Sequence, residues 1–158
     1  MNQNFKVGDF LTDFVCIYKI TSITPGLGDQ KLIHYQPIKG TDKIFTDTIP
    51  ENNLIKSGLR PLLTPKEIDL LLTESKNQPI IENYVFDLRQ IKEDIYSNTP
   101  IKLMEYLKYF YQKKDSLPKI ENDFKEEILS HLCLEISFVT NKSIISVKKM
   151  IESNLLDK

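Results

Sequence analysis

The feature that most constrains this chain is a change of hydrophobic period near residue 60. Before it, apolar residues come in short alternating or β-branched runs: VCIYKITSI (15–23), KLIHYQPI (31–38) and KIFTDTI (43–49). The breakers PGLGD, KGTD and PENN separate them. A period of two between turn-forming residues specifies strands with tight connections, here three or four. In FKVGDFL, the pair Gly8-Asp9 predicts a turn that brings Phe5 and Val7 back toward Phe10 and Leu11. A meander of about 55 residues buries one face only by curling, so a small β-barrel is expected. Its candidate core is Phe5, Val15, Ile17, Ile20, Ile33, Tyr35 and Ile49.

After residue 60 the period is helical. Thr64-Pro65-Lys66-Glu67 opens a helix, with Thr64 as cap, Pro65 at the first helical position and Glu67 where a capping-box carboxylate belongs. The stripe Ile68, Leu71, Leu72 follows, and Asn77-Gln78-Pro79 ends it. A second helix is expected over 82–96, with Phe86, Ile91 and Ile95 inward. Ser97-Asn98-Thr99-Pro100 starts a third, over 100–114, striped by Leu103, Leu107 and Phe110. A fourth over 121–139 carries Phe124, Ile128, Leu132 and Ile136. Asn141 and Ser143 are candidate caps for a fifth, with Val147, Met150 and Ile151 apolar. The expected fold class is α+β: a small β-barrel over 1–62, then a compact bundle of about five helices over 63–158.

Composition narrows the function classes. With 41% apolar and 27% charged residues and a net charge of −1, the chain is neither a disordered tail nor a strongly basic nucleic-acid binder. Residues 1–64 carry a net +1 and residues 65–158 a net −2, so any contact with nucleic acid has to be local and weak by itself. No apolar run approaches the roughly 20 residues of a membrane span. The opening MNQNFKVGDF lacks the pattern of a secretory signal, and a cytoplasmic protein is expected.

Catalytic signatures are missing. GxGxxG, GxxxxGK[ST], HExxH, GxSxG and CxxC do not occur. Cys16 and Cys133 lie in apolar sequence as small hydrophobes, and His34 and His131 have no metal spacing, so no metal and no cofactor is expected. Gly26 and Gly28 suit a hairpin tip better than a phosphate cradle, and Glu93-Asp94 and Glu126-Glu127 diverge on helices. Tyr106, Tyr109, Phe110 and Tyr111 fit a core with an amphipathic rim better than a stacking platform. A binding module without a small-molecule substrate is the expectation, not an enzyme.

The order FKVGD (5–9), VCIYKI (15–20), TIPENN (48–53) and GLRPLLTPKEI (58–68) resembles the CarD/CdnL family of bacterial RNA-polymerase-binding proteins. Their amino-terminal module is shared with the transcription-repair coupling factor. NYVFDLRQIKEDIYSNT (83–99), LMEYLKYFYQKKDSL (103–117) and EEILSHLCLEISFVTNKSIISVKKMI (126–151) extend the similarity over nearly the whole chain, with Glu135 at the family's glutamate of the closing helices. The resemblance implies a Tudor-like RNA-polymerase-interaction domain over 1–62 that docks on the polymerase β subunit by β-augmentation. It also implies a helical domain that stabilises promoter open complexes through an aromatic wedge in the minor groove.

Carried over residue by residue, the polymerase-binding positions are Ile23 and Thr48, where family members place arginines. Thr46 joins them, because the alternation in KIFTDTI turns Thr46 and Thr48 outward near an edge, with the Thr48 amide as a ladder donor. The wedge position falls on Tyr84, followed by Phe86 and Asp87 in place of a basic pair, and Arg89 and Lys92 are the candidates for flanking phosphates. The implied partners are the RNA polymerase β subunit and weakly held, tethered promoter DNA. The alternative is a polymerase- or protein-binding adaptor without DNA contact. A contiguous positive surface around Tyr84, Arg89, Lys92 and Lys102 favours DNA, and a mixed one favours the adaptor.

Overall fold

The computed structural model describes residues 5–77, 87–113 and 117–156. The chain divides into two units, residues 1–62 with 96–98, and residues 63–95 with 99–158.

The first unit is an antiparallel sheet of five strands: β1 (Phe10–Thr12), β2 (Ile17–Pro25), β3 (Lys31–Lys39), β4 (Asp47–Pro50) and β5 (Arg60–Pro61). Their order in the sheet is β4-β3-β2-β1-β5. The expected barrel is not closed. Its marginal strands have four and two residues, too little edge to pair across the gap, and no pairing joins them among the described residues. Five strands form among the described residues where three or four are expected, because the short pieces Phe10–Thr12 and Arg60–Pro61 lack an alternating run long enough to announce them. The run 43–49 also pairs later than its pattern suggests, from Asp47 onward.

Leu11, Cys16, Tyr18, Ile20, Ile33, Tyr35, Leu54 and Leu59 form the core of this sheet, with Phe5, Ile23 and Ile49 packed at its margin. Val15, expected inside, is 62% exposed. It lies in a turn built by Asp13, whose Oδ1 accepts the Val15 and Cys16 amides at 2.7 Å each. That turn delays the strand to Ile17, and the register shift between Ile20 and Ser22 lets Ile23 join Tyr18 and Ile20 on the core face. Gly40 is required here: with φ +93°, an added Cβ would stand 2.4 Å from the Val15 carbonyl oxygen.

Residues 96–98 complete this unit. Asn98 is buried at φ +50°, and its side-chain Nδ2 donates to the carbonyls of Thr12 (3.2 Å) and Gly58 (3.3 Å). Arg60 Nε donates to the Asn98 carbonyl at 2.8 Å.

The helices are α1 (Pro65–Asn77), α2 (Leu88–Ser97), α3 (Pro100–Gln112), α4 (Lys119–Thr140) and α5 (Ile144–Leu156). The capping box at α1 forms as its sequence dictates: the Thr64 amide donates to Glu67 Oε2 at 2.7 Å and the Glu67 amide to Thr64 Oγ1 at 3.3 Å. Helix α2 runs from Leu88, and the expected start at 82 lies outside the described residues. Asp87 caps it, its Oδ1 accepting the Arg89 and Gln90 amides at 2.9 and 3.3 Å. Phe86 lies outside the described residues. Asn141 ends α4 in the left-handed region at φ +54° instead of capping α5, a role that Ser143 takes alone. Ile68, Ile91, Leu103, Leu107, Phe110, Ile128, Leu132, Ile136, Val147 and Ile151 bury the apolar stripes, while Met150 and Phe124 stay at the rim. No single helix among the described residues is long and apolar enough to cross a membrane.

Candidate functional site

The chemistry that the first unit leaves exposed gathers at β4, the strand at one margin of the sheet. Across three strands, residues pair in rows: Ile23 faces Ile33, which faces Ile49, and Ser22 faces His34, which faces Thr48. Neighbouring residues of a strand point to opposite faces. The isoleucine row therefore lines the core and the His34 row lines the outer face. Both His34 ring nitrogens are engaged there, Nδ1 with Thr48 Oγ1 at 2.8 Å and Nε2 with Thr24 Oγ1 at 2.7 Å. A hydroxyl donates or accepts, so either neutral tautomer satisfies the row.

Asp47 shields the outer edge of β4. Its Oδ1 accepts the Thr48 amide at 2.7 Å, and its Oδ2 accepts the Tyr35 hydroxyl at 3.3 Å. The His34 carbonyl accepts from Thr21 Oγ1 of β2, which turns that peptide toward β2. The Thr48 amide thus points away from β3, toward the side where an incoming strand would lie. It is an edge donor and not the ladder donor expected from sequence. Burial first, then the Asp47 charge, pushes the Tyr35 phenol up to about 12. Burial also raises Tyr18, whose hydroxyl donates to Asp13 Oδ2 at 2.6 Å and whose ring meets Tyr35 edge-on at 5.2 Å.

The lead-in to β4 is apolar and open. Ile44 is 96% and Phe45 42% exposed, in a stretch that carries no strand pairing. The structure thus brings Thr46 and Thr48 to one exposed edge and sets Ile23 on the opposite face, packed against the core. Ile44, Phe45, His34 and Asp47 belong to the edge as well. The alternation in KIFTDTI carried the signal for the first two, whereas the long-range contacts of His34 and Asp47 leave no local trace.

The second candidate surface is different. Tyr84 lies outside the described residues. Arg89 is an exposed side chain paired with Glu93 at 3.2 Å, and Lys102 pairs with Glu105 at 3.2 Å. Lys92 is exposed, and Asp87, Glu93 and Asp94 sit on the same helix or at its cap. The charge along α2 is mixed in sign. The aromatic run of α3 turns inward: Tyr106, Tyr109 and Phe110 are buried, and Tyr111 donates to Glu152 at 2.9 Å.

The two thiols are buried, and desolvation raises both, Cys133 to about 11, which keeps them protonated and poor nucleophiles at neutral pH. Among the described residues, no group of three or more His, Cys, Asp and Glu side chains gathers as metal ligands would. A comparison of the chain with protein-family models and with curated protein sequences finds no match.

Proposed function

We propose that this chain is a protein-binding module of the bacterial transcription machinery, a Tudor-like unit that takes a strand of the RNA polymerase β subunit at its β4 edge. The observation that carries the reading is the sheet margin itself. It offers an outward backbone donor at Thr48 that only the neighbouring Asp47 side chain covers among the described residues, exposed Thr46, and the open apolar pair Ile44 and Phe45 leading in. Strand addition draws affinity from main-chain hydrogen bonds and specificity from alternate side chains, and this edge supplies both. The partner's identity rests on the CarD/CdnL resemblance.

The mixed charge along α2 supports the adaptor without DNA contact over the regulator that grips promoter DNA through Tyr84, Arg89 and Lys92. Arg89 already has a carboxylate partner, and a phosphate would have to displace it. In the DNA-binding reading, tethering to polymerase makes a weak contact count. The test is capture of purified RNA polymerase by the full chain. Wild type retains it, and folded Thr48→Pro and Phe45→Asp variants lose it; retention by both variants rejects the edge. Open-complex lifetime then separates the two readings. Equal lifetimes for wild type, Tyr84→Ala and Arg89→Ala/Lys92→Ala support the adaptor, and a collapse in the variants supports the DNA contact.

A further inference from the structure

Residues 43–47 read Lys-Ile-Phe-Thr-Asp, and this stretch complements itself when laid antiparallel on a second copy. With Phe45 opposite Phe45, Lys43 of each copy faces Asp47 of the other, and Ile44 faces Thr46. The geometry points to a second copy of this chain as an occupant of the β4 edge, the two edges pairing antiparallel about Phe45 into one continuous sheet.

Three observations carry this. First, the Thr48 amide faces outward, and once pairing draws the unassigned stretch 43–46 into line with β4, the even-numbered residues 44 and 46 present their backbone groups to the same edge. The register about Phe45 pairs even with even: the Thr46 amide meets the Ile44 carbonyl of the other copy, and the Ile44 amide meets that of Thr46. Phe45 then occupies a non-hydrogen-bonded pair, where side chains approach most closely. Second, charge selects the register. A shift by one residue in each copy sets Lys43 against Ile49 or against Phe45, and only the register about Phe45 matches Lys43 with Asp47 on both sides. Lys43 is exposed and has no ion pair within its own chain among the described residues. Third, Ile44 and Phe45 are exposed apolar side chains in a stretch without a strand neighbour. Pairing covers them and releases Asp47 Oδ1 from the Thr48 amide to the incoming Lys43.

A contact of about five residues per copy falls below the roughly 1,200 Å² of a stable complex, so the dimer is weak and reversible. The inference shares its edge with the protein-binding reading and adds a regulation to it: self-pairing and polymerase strand addition exclude each other. It does not need the partner to be polymerase.

Sedimentation velocity of the full chain over a concentration series tests it. Wild type self-associates. Lys43→Glu and Asp47→Lys each set like charges opposite one another at both pairs and weaken association roughly tenfold. An equimolar mixture of the two variants restores opposite charges at both pairs and recovers wild-type association. A wild type that stays monomeric, or a mixture that does not recover, overturns the proposal. Should Asp47→Lys fail to fold, because Asp47 also holds Tyr35 and Thr48, Phe45→Asp takes its place, and undiminished association in that variant overturns the proposal equally. Capture of polymerase by monomeric Lys43→Glu reads the protein-binding proposal separately.

Discussion

The two units differ in how they complete the backbone groups that their elements leave over. In the helical unit, α1 is held at both ends by charged side chains of other helices. Glu135 of α4, fully buried, accepts the Leu63 amide at 2.8 Å just before the helix begins. Lys108 of α3, 9% exposed, donates to the carbonyls of Ser75 (2.8 Å) and Lys76 (3.2 Å) where the helix ends. A carboxylate at the amino end and an ammonium at the carboxyl end match the helix dipole and satisfy groups that no helix satisfies for itself. In the sheet unit, by contrast, the outward Thr48 amide of β4 is met by the side chain of its own neighbour Asp47. A helix whose termini are closed from within has little left to offer a partner. A sheet that ends on an open strand has a row of groups still to pair. In the proposed reading, the capacity to bind lies with the sheet edge rather than with α1.

The largest effect should come from breaking the helical side of this contrast. Glu135→Ala removes the acceptor of the Leu63 amide and leaves a cavity, and should cost the helical unit about 3 kcal/mol. Glu135→Gln keeps an acceptor oxygen in place and should cost about 1 kcal/mol. Thermal melts followed by circular dichroism give both numbers. Equal losses in the two variants would make the site one of packing alone.

A second prediction sharpens the boundary between the units. Asn98→Ala removes two donated hydrogen bonds and strains a left-handed backbone, for about 2 kcal/mol in the sheet unit. Asn98→Gly keeps the backbone conformation and should recover part of that loss. Hydrogen exchange at β1 and at Gly58 locates the effect. Protection unchanged in Asn98→Ala would show that residues 1–62 stand without the 96–98 segment.

How much of this was legible beforehand follows the range of the interactions. Helices announce themselves locally: Thr64 and Glu67 are three residues apart and form the capping box that their spacing requires. The stripes through Leu103, Leu107, Ile128 and Ile136 are likewise read within a few turns. The sheet hides more. Val15 carries a strand former's side chain, yet the carboxylate of Asp13 bends the chain around it, an Asx turn that competes with the alternating pattern. Ile23 and Thr48 look equivalent as carried-over positions, but the bulge in β2 and the pairing of β3 set them on opposite faces. The clamp on α1 joins residues 72 and 33 positions apart, and no local pattern encodes that. The edge was visible in KIFTDTI because exposed alternation is a local property. The outward turn of the Thr48 amide was not.

Lys108 gives the third effect. Lys108→Met loses two hydrogen bonds to carbonyls but also removes a buried charge, so the net cost should be about 1 kcal/mol near neutral pH. Burial lowers the Lys108 pKa from its ordinary 10.5. The folded form therefore binds fewer protons than the unfolded form as pH approaches 10.5. The stability of wild type relative to Lys108→Met should rise with pH across that window. A pH-independent difference would mean that the ammonium is hydrated in the folded chain.

The smallest effect lies in the sheet and has the opposite sign. Tyr35 keeps its proton more firmly folded than unfolded, at about 12 against an ordinary 10, because burial and the Asp47 carboxylate both disfavour the phenolate. Its contribution is complete below pH 10. Above that, the unfolded chain ionises first, and the contribution drains away as pH rises toward 12. Tyr35→Phe lacks the proton and the bond to Asp47, so its stability deficit against wild type should be largest at neutral pH, below about 1 kcal/mol, shrink above pH 10 and reverse toward pH 12. Urea denaturation at pH 8, 10 and 11, referenced to Lys108→Met, separates the units, since alkali favours the folded state at Lys108 and opposes it at Tyr35. A Tyr35→Phe deficit that persists unchanged at pH 11 would detach the phenol from Asp47. It would leave that carboxylate occupied by the Thr48 amide alone, and the β4 edge correspondingly easier to open.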